Sequence, residues 1–145
     1  MNDPEVIDQI LRSATTIAVM GMSDKPERAS FNIGRYLMAH GFYVLPVNPM
    51  LAEVLGVPCY PSLEAAQAAA TRSGAEIDLV NVFRSSEFVG EIVDDVLRLG
   101  LKSLWLQDGV ENPVEVARAR AAGVKVVEND CILRRHQALA ALPPR

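Results

Sequence analysis

The sequence predicts an α/β fold: a doubly wound, mainly parallel sheet of five or six strands with helices on both faces. Three observations lead there. Short apolar runs recur at residues 17–20, 42–47, 77–83, 103–106 and 124–127, and each suits a strand covered on both sides. Between them lie segments whose apolar residues repeat at helical spacing. The links are short, and a repeating strand–loop–helix order favours parallel pairing.

Taken in order, residues 4–13 predict an amphipathic helix with Val6, Ile7, Ile10 and Leu11 on the face that packs across the sheet. The first strand ends at Gly21, where the missing Cβ allows a sharp turn and a close approach to a ligand. Ser30 is the expected N-cap of a helix over 31–41, in which Ile33, Tyr36, Leu37 and His40 share a face. The second strand ends at Asn48-Pro49. Residues 54–61 hold a short extended segment in which Pro58 and Pro61 argue against a central strand, and Cys59 reads as a small buried apolar residue.

Ser62, with Ala65 at N3, opens an alanine-rich helix to about residue 71. The third main strand runs into Arg84-Ser85-Ser86. The helix over 86–99 turns Val89, Ile92, Val93, Val96 and Leu97 inward, and its charges, Glu91, Asp94, Asp95 and Arg98, form a solvated face. The fourth strand ends in Gln107-Asp108-Gly109, and Asn112 with Pro113 starts a helix closed by Gly123. The fifth strand leads to Cys131 and a terminal helix ending before Pro143-Pro144.

Ligands of such sheets collect outside the carboxyl ends of the strands, where the strand order reverses. Polar residues gather at those ends: Ser23, Lys25, Arg28 and Ser30, then Asn48, then Arg84 and Ser85, then Gln107 and Asn112. Residues 15–32 read as a phosphate-cradling loop, because a helix start offers free N–H groups and a favourable dipole, and Lys25 and Arg28 add full charges beside it. The pattern is Rossmann-like. The dinucleotide fingerprint, however, needs glycines where Ser23 and Pro26 stand, and an acid after the second strand where Asn48 stands. An NAD(P)-dependent oxidoreductase is therefore the alternative that these positions disfavour.

Composition narrows the classes further. In 145 residues, half are hydrophobic, enough for one core, and the net charge of −4 provides no basic field for general nucleic-acid binding. The acidic start, and the lack of an apolar run of about 18 residues, lead us to expect a soluble, cytoplasmic protein with no membrane partner. Cys59 and Cys131 form no C-x-x-C pair or metal-spaced cluster, and His40 and His136 stand apart with structural or surface roles. With no catalytic constellation in view, binding without catalysis is expected.

The ordered motifs GMSDKPERAS, PVNP, DLVNVFRSSE, LWLQDGVEN and VVENDC, each following a strand or spanning its end, resemble the small stand-alone coenzyme A-binding proteins. That family is similar to the amino-terminal, coenzyme A-binding domain of the succinyl-CoA synthetase alpha subunit. The resemblance implies one Rossmann-like domain over 1–145 that binds coenzyme A or an acyl-CoA. Gly21, Met22 and Ser23 would cradle phosphate, with Arg28 and Ser30 as further anion contacts and Lys25 behind them. Val47, Asn48 and Pro49 would wall the adenine and ribose, Val82, Phe83, Arg84 and Ser85 would face them, and Gln107 and Asp108 would lie towards the pantetheine arm. Cys131 is read as a packing cysteine, with disulfide exchange with the coenzyme's thiol as its alternative role. The partners implied are a larger acyl-CoA enzyme or a second copy, Phe42, Tyr43 and Trp105 suiting a homodimer face or the core alike. A third reading is the coenzyme A-binding subunit of a split acyl-CoA ligase.

Overall fold

A computed structural model describes residues 2–142. Along the chain run α1 (Pro4–Ser13), β1 (Thr16–Met20), α2 (Ala29–Ala39), β2 (Tyr43–Val47), β3 (Glu53–Val54), β4 (Val57–Pro58), α3 (Leu63–Arg72), β5 (Leu79–Val82), α4 (Val89–Arg98), β6 (Ser103–Leu106), α5 (Pro113–Ala121), β7 (Lys125–Val127) and α6 (Ile132–Ala140). Five strands form one parallel sheet in the order β2-β1-β5-β6-β7. The two extra strands pair only with each other, antiparallel, outside it.

The order follows from handedness. The chain leaves β1 through α2 to reach β2 on one side, then returns through α3 past β1 to β5. Both crossovers are right-handed only if α2 and α3 cover opposite faces. Alternating residues obey this division: Ala18, Leu45, Val80, Val82, Leu104 and Leu106 pack with α3, α4 and α5, whereas Ile17, Val19, Val44, Leu79 and Trp105 pack with α1, α2 and α6. Hence the strand centres are apolar on both faces, with Asn81 of β5 as the buried exception.

Local signals placed most helix starts. The Ser62 side chain accepts from the Ala65 N–H at 3.1 Å, and that of Asn112 accepts from the Glu115 N–H at 3.2 Å, with Pro113 opening α5. Ser30 differs from expectation. Helix α2 starts two residues earlier than predicted, with Arg28 at the N-cap, so Ser30 lies in its first turn. The predicted 86–99 helix begins as a 3₁₀ turn, Ser86–Phe88. Strand β5 is shorter than 77–83 at its start, because the Asp78 carboxylate takes the N–H groups of Thr15 and Thr16 and the Thr15 hydroxyl. Pro143 and Pro144 lie outside the described residues.

The exposed edge of β2 is partly closed. Pro46 brings no N–H to that edge. Its carbonyl accepts from the Tyr60 N–H at 2.9 Å, and the Asn48 N–H donates to the Tyr60 carbonyl at 2.9 Å. Among the described residues, no helix is long and apolar enough to cross a membrane.

His40 and His136 are not isolated. Tyr36 stacks on His40 with ring centroids 3.9 Å apart, Tyr36 Oη and His136 Nδ1 are hydrogen-bonded at 2.6 Å, and the two imidazole centroids lie 5.4 Å apart. This cluster joins α2 to α6. Burial, then the charge of His40, holds His136 below its ordinary value of 6.5. A base with a depressed pKa binds fewer protons folded than unfolded, so its contribution is complete above the unfolded value and is lost as pH falls through it. Thermal melts should therefore show Tm falling between about pH 7 and pH 5, with a smaller fall in His136→Gln. An identical slope in that variant would remove His136 as the cause.

Candidate functional site

Three strand ends meet at Gly21. Its φ of +78° lies in the left-handed region, and its N–H donates to the Val47 carbonyl at 2.8 Å. The Phe83 N–H in turn donates to the Met20 carbonyl at 2.9 Å. A Cβ on Gly21 would stand 3.2 Å from Arg84 Cδ and 3.4 Å from the Phe83 carbonyl. The chain therefore turns between β1, β2 and β5 where only a glycine passes without strain, at the reversal of strand order.

The loop beyond is fixed by its own polar groups. The Ser23 N–H donates to Ser30 Oγ at 2.9 Å and the Lys25 N–H to Ser23 Oγ at 3.0 Å. Asn48 Nδ2 donates to the Met22 carbonyl at 3.0 Å, while Asn48 Oδ1 accepts from the Met50 N–H at 2.9 Å. Met22 is fully buried, its thioether lying over Gly34 of α2, where any Cβ would overlap it. Each serine hydroxyl accepts within the loop and retains its proton as a donor. The first α2 amide donating to a backbone carbonyl of its own helix start is Asn32 N–H, to Arg28 O at 3.3 Å, so the amides of residues 29–31 face the loop end.

Two grooves share Gly21. The first, enclosing about 190 Å³, has Met20, Gly21 and Val47 at its base, Pro49, Pro61, Ser62 and Leu63 on one wall, and Arg84, Phe88, Glu91, Ile92 and Asp95 on the other. The Arg84 guanidinium lies over the Phe88 ring, 4.2 Å from its centroid. The second groove is lined by Gly21, Glu27, Arg28, Ala29, Ser30 and Phe83 at the start of α2.

The structure thus gathers Gly21, Arg28, Ser30, Val47, Pro49, Phe83 and Arg84 around one crossing point. Met22 and Val82 are fully buried, backbone included, and present no surface to a ligand, and Asn48 braces the first two loops. Lys25 is exposed, and Lys25, Ser23 and Ser85 line neither groove. Gln107 lies away from any ligand surface: it is 2% exposed and donates from Nε2 to Asn81 Oδ1 at 2.6 Å inside the sheet. Asn81 Nδ2 is the one buried side-chain polar atom without a partner among the described residues.

Asp108 is exposed and held by both terminal nitrogens of Arg134 at 3.1 Å. Arg134 also reaches Asp130, whose carboxyl is disfavoured by burial but pulled below its ordinary range by Arg135 and by the Cys131 N–H. Cys131 occupies the N-cap of α6, partly buried.

Sequence reasoning missed Ser62, Phe88, Glu91 and Asp95 as groove residues. The acids of α4 were expected in solvent, and Glu91 is indeed exposed and Asp95 partly so, while both also flank the first groove. Their spacing of four residues was the available signal, since it puts both on one stripe of the helix.

The family described as "CoA binding domain" matches residues 15–137. The uncharacterized protein YneT of Bacillus subtilis (strain 168) is 32% identical over 130 residues, which is 90% of this chain and 91% of that protein. Among solved structures, Prb, a protein redesigned for binding, is similar with a TM-score of 0.86 and 33% identity over 99% of this chain and 96% of its own. A hypothetical protein from Pyrococcus horikoshii OT3 gives 0.83 and 35% over 94% and 92%. The WlbA dehydrogenase from Thermus thermophilus, solved with NAD and α-ketoglutarate, is 17% identical with a TM-score of 0.56 over 79% of this chain and 40% of its own, a likeness of fold alone.

Gly21→Ala should cost about 1–2 kcal/mol from the left-handed backbone, before any crowding against Arg84. Urea denaturation measures this. A variant as stable as the parent would show that the turn relaxes without strain.

Proposed function

The chain belongs to the CoA-binding domain family, and on that premise we propose that it binds coenzyme A or an acyl-CoA across Gly21 and catalyses no reaction of its own. The observation that carries this is the crossing point itself: a left-handed glycine closely passed by Phe83 and Arg84, the open amides of α2 on one side, and Arg28 and Arg84 on either hand. A pyrophosphate needs this combination of close backbone, helix start and fixed cations.

The grooves suit the two ends of such a ligand. The first is smaller than the roughly 300–1,000 Å³ usual for a complete small-molecule site, so it accommodates the nucleoside, and the arm continues past Gly21 along the second. The lack of an acid at Asn48 suits a ribose that carries a phosphate instead of two free hydroxyls.

Binding without catalysis is supported by how the groups suited to proton transfer are used. The histidines pack on Tyr36 between α2 and α6, and Asp108 and Asp130 are held by arginines. Such a protein would carry or sense the coenzyme for a larger enzyme that makes or consumes thioesters.

Calorimetric titration with coenzyme A, 3′-dephospho-coenzyme A and NADH tests the reading. Coenzyme A should bind most tightly, and Arg28→Ala should weaken it about tenfold, the scale of one charge-assisted hydrogen bond. Preference for NADH would overturn the ligand assignment and favour the oxidoreductase alternative.

A further inference from the structure

The first groove is mainly apolar at Val47, Pro49, Pro61, Phe88 and Ile92, yet one wall carries two carboxylates. Glu91 and Asp95 stand four residues apart on α4. Asp95 is already engaged, its Oδ1 accepting from Arg98 at 3.0 Å. Among the described residues, Glu91 has neither a hydrogen bond nor an ion pair, although Arg84 lines the same groove.

A carboxylate beside an anion-binding loop works against the anion unless it meets a donor. The phosphates belong at Gly21, between Arg28 and Arg84. The planar base is the ligand part that fits a groove lined by two prolines and by the Arg84 guanidinium stacked on Phe88, and an ionised carboxylate only accepts hydrogen bonds. Of the groups on an adenine ring, the exocyclic amine is the one that donates. Resting on the coenzyme A reading of this site, we propose that Glu91 is a specificity-determining residue that accepts a hydrogen bond from the 6-amino group of the bound adenine.

The sign of the effect makes the assignment testable. Removing a negative charge near a polyanionic ligand should by itself strengthen binding, so a loss on removing Glu91 requires a direct contact. Titrations would pair wild type, Glu91→Leu and Asp94→Asn with coenzyme A and with an analogue bearing hydrogen in place of the 6-amino group. Asp94 pairs with Arg118 away from the groove, and its variant controls for net charge. Wild type should bind coenzyme A about tenfold more tightly than the analogue. Glu91→Leu should lose about that factor for coenzyme A alone, and Asp94→Asn should keep the full preference. Equal wild-type affinity for the two ligands, or a preference surviving in Glu91→Leu, would overturn the assignment while leaving the coenzyme site intact. Failure of wild type to bind either ligand would overturn both.

Discussion

Everything at the carboxyl end of the sheet depends on how closely the chain passes itself at Gly21. Two neighbouring strand ends crowd that residue, Val47 through a hydrogen bond and Phe83-Arg84 through contact with the missing Cβ position. A wider passage would part β1 from β5 at the reversal of strand order. Because the passage is narrow, Gly21 forms the floor shared by both grooves, and the side chains above it come from the ends of three separate strands.

The surrounding polar groups serve rigidity first. Asn48 braces the second loop to Met22, Ser30 braces α2 to Ser23, and Met22 is anchored on Gly34. A loop held this way loses little conformational freedom on binding, which is the main route by which preorganisation improves affinity. The cations act locally. In a chain of net charge −4, any attraction for an anion would come from Arg28, Arg84 and the helix start, and would fall off within a Debye length of roughly 8–10 Å.

What was legible beforehand tracks how local each signal is. Ser62 and Asn112 cap their helices through atoms three residues away, and β6 was placed at its observed bounds, because alternation and capping are written in neighbouring positions. Ser30 was misplaced because its partner is Ser23, across a turn that spacing does not describe. Gln107 was assigned to the ligand by its position after a strand, whereas its amide is drawn into the sheet by Asn81, the partner of Trp105 two residues earlier. The histidine pair required α2 and α6 to be docked side by side. Glu91 and Asp95 do face solvent as read, and their place beside the groove went unseen for a related reason. Periodicity separates the inward and outward faces of a helix, and the groove runs along the border between them.

The segment closing the edge of β2 also provides one wall of the first groove. Pro49, Pro61 and Ser62 all come from the stretch between β2 and α3, and that stretch meets β2 mainly through the Tyr60 backbone contacts. Its tip is the small β3–β4 ladder, anchored by buried Val54, with left-handed Leu55 and Gly56 at an exposed turn. Residues can be gained or lost at that tip without altering a strand of the main sheet. The segment is thus a detachable wall: a change in its length would reshape the first groove and leave the sheet and the Gly21 crossing as they are.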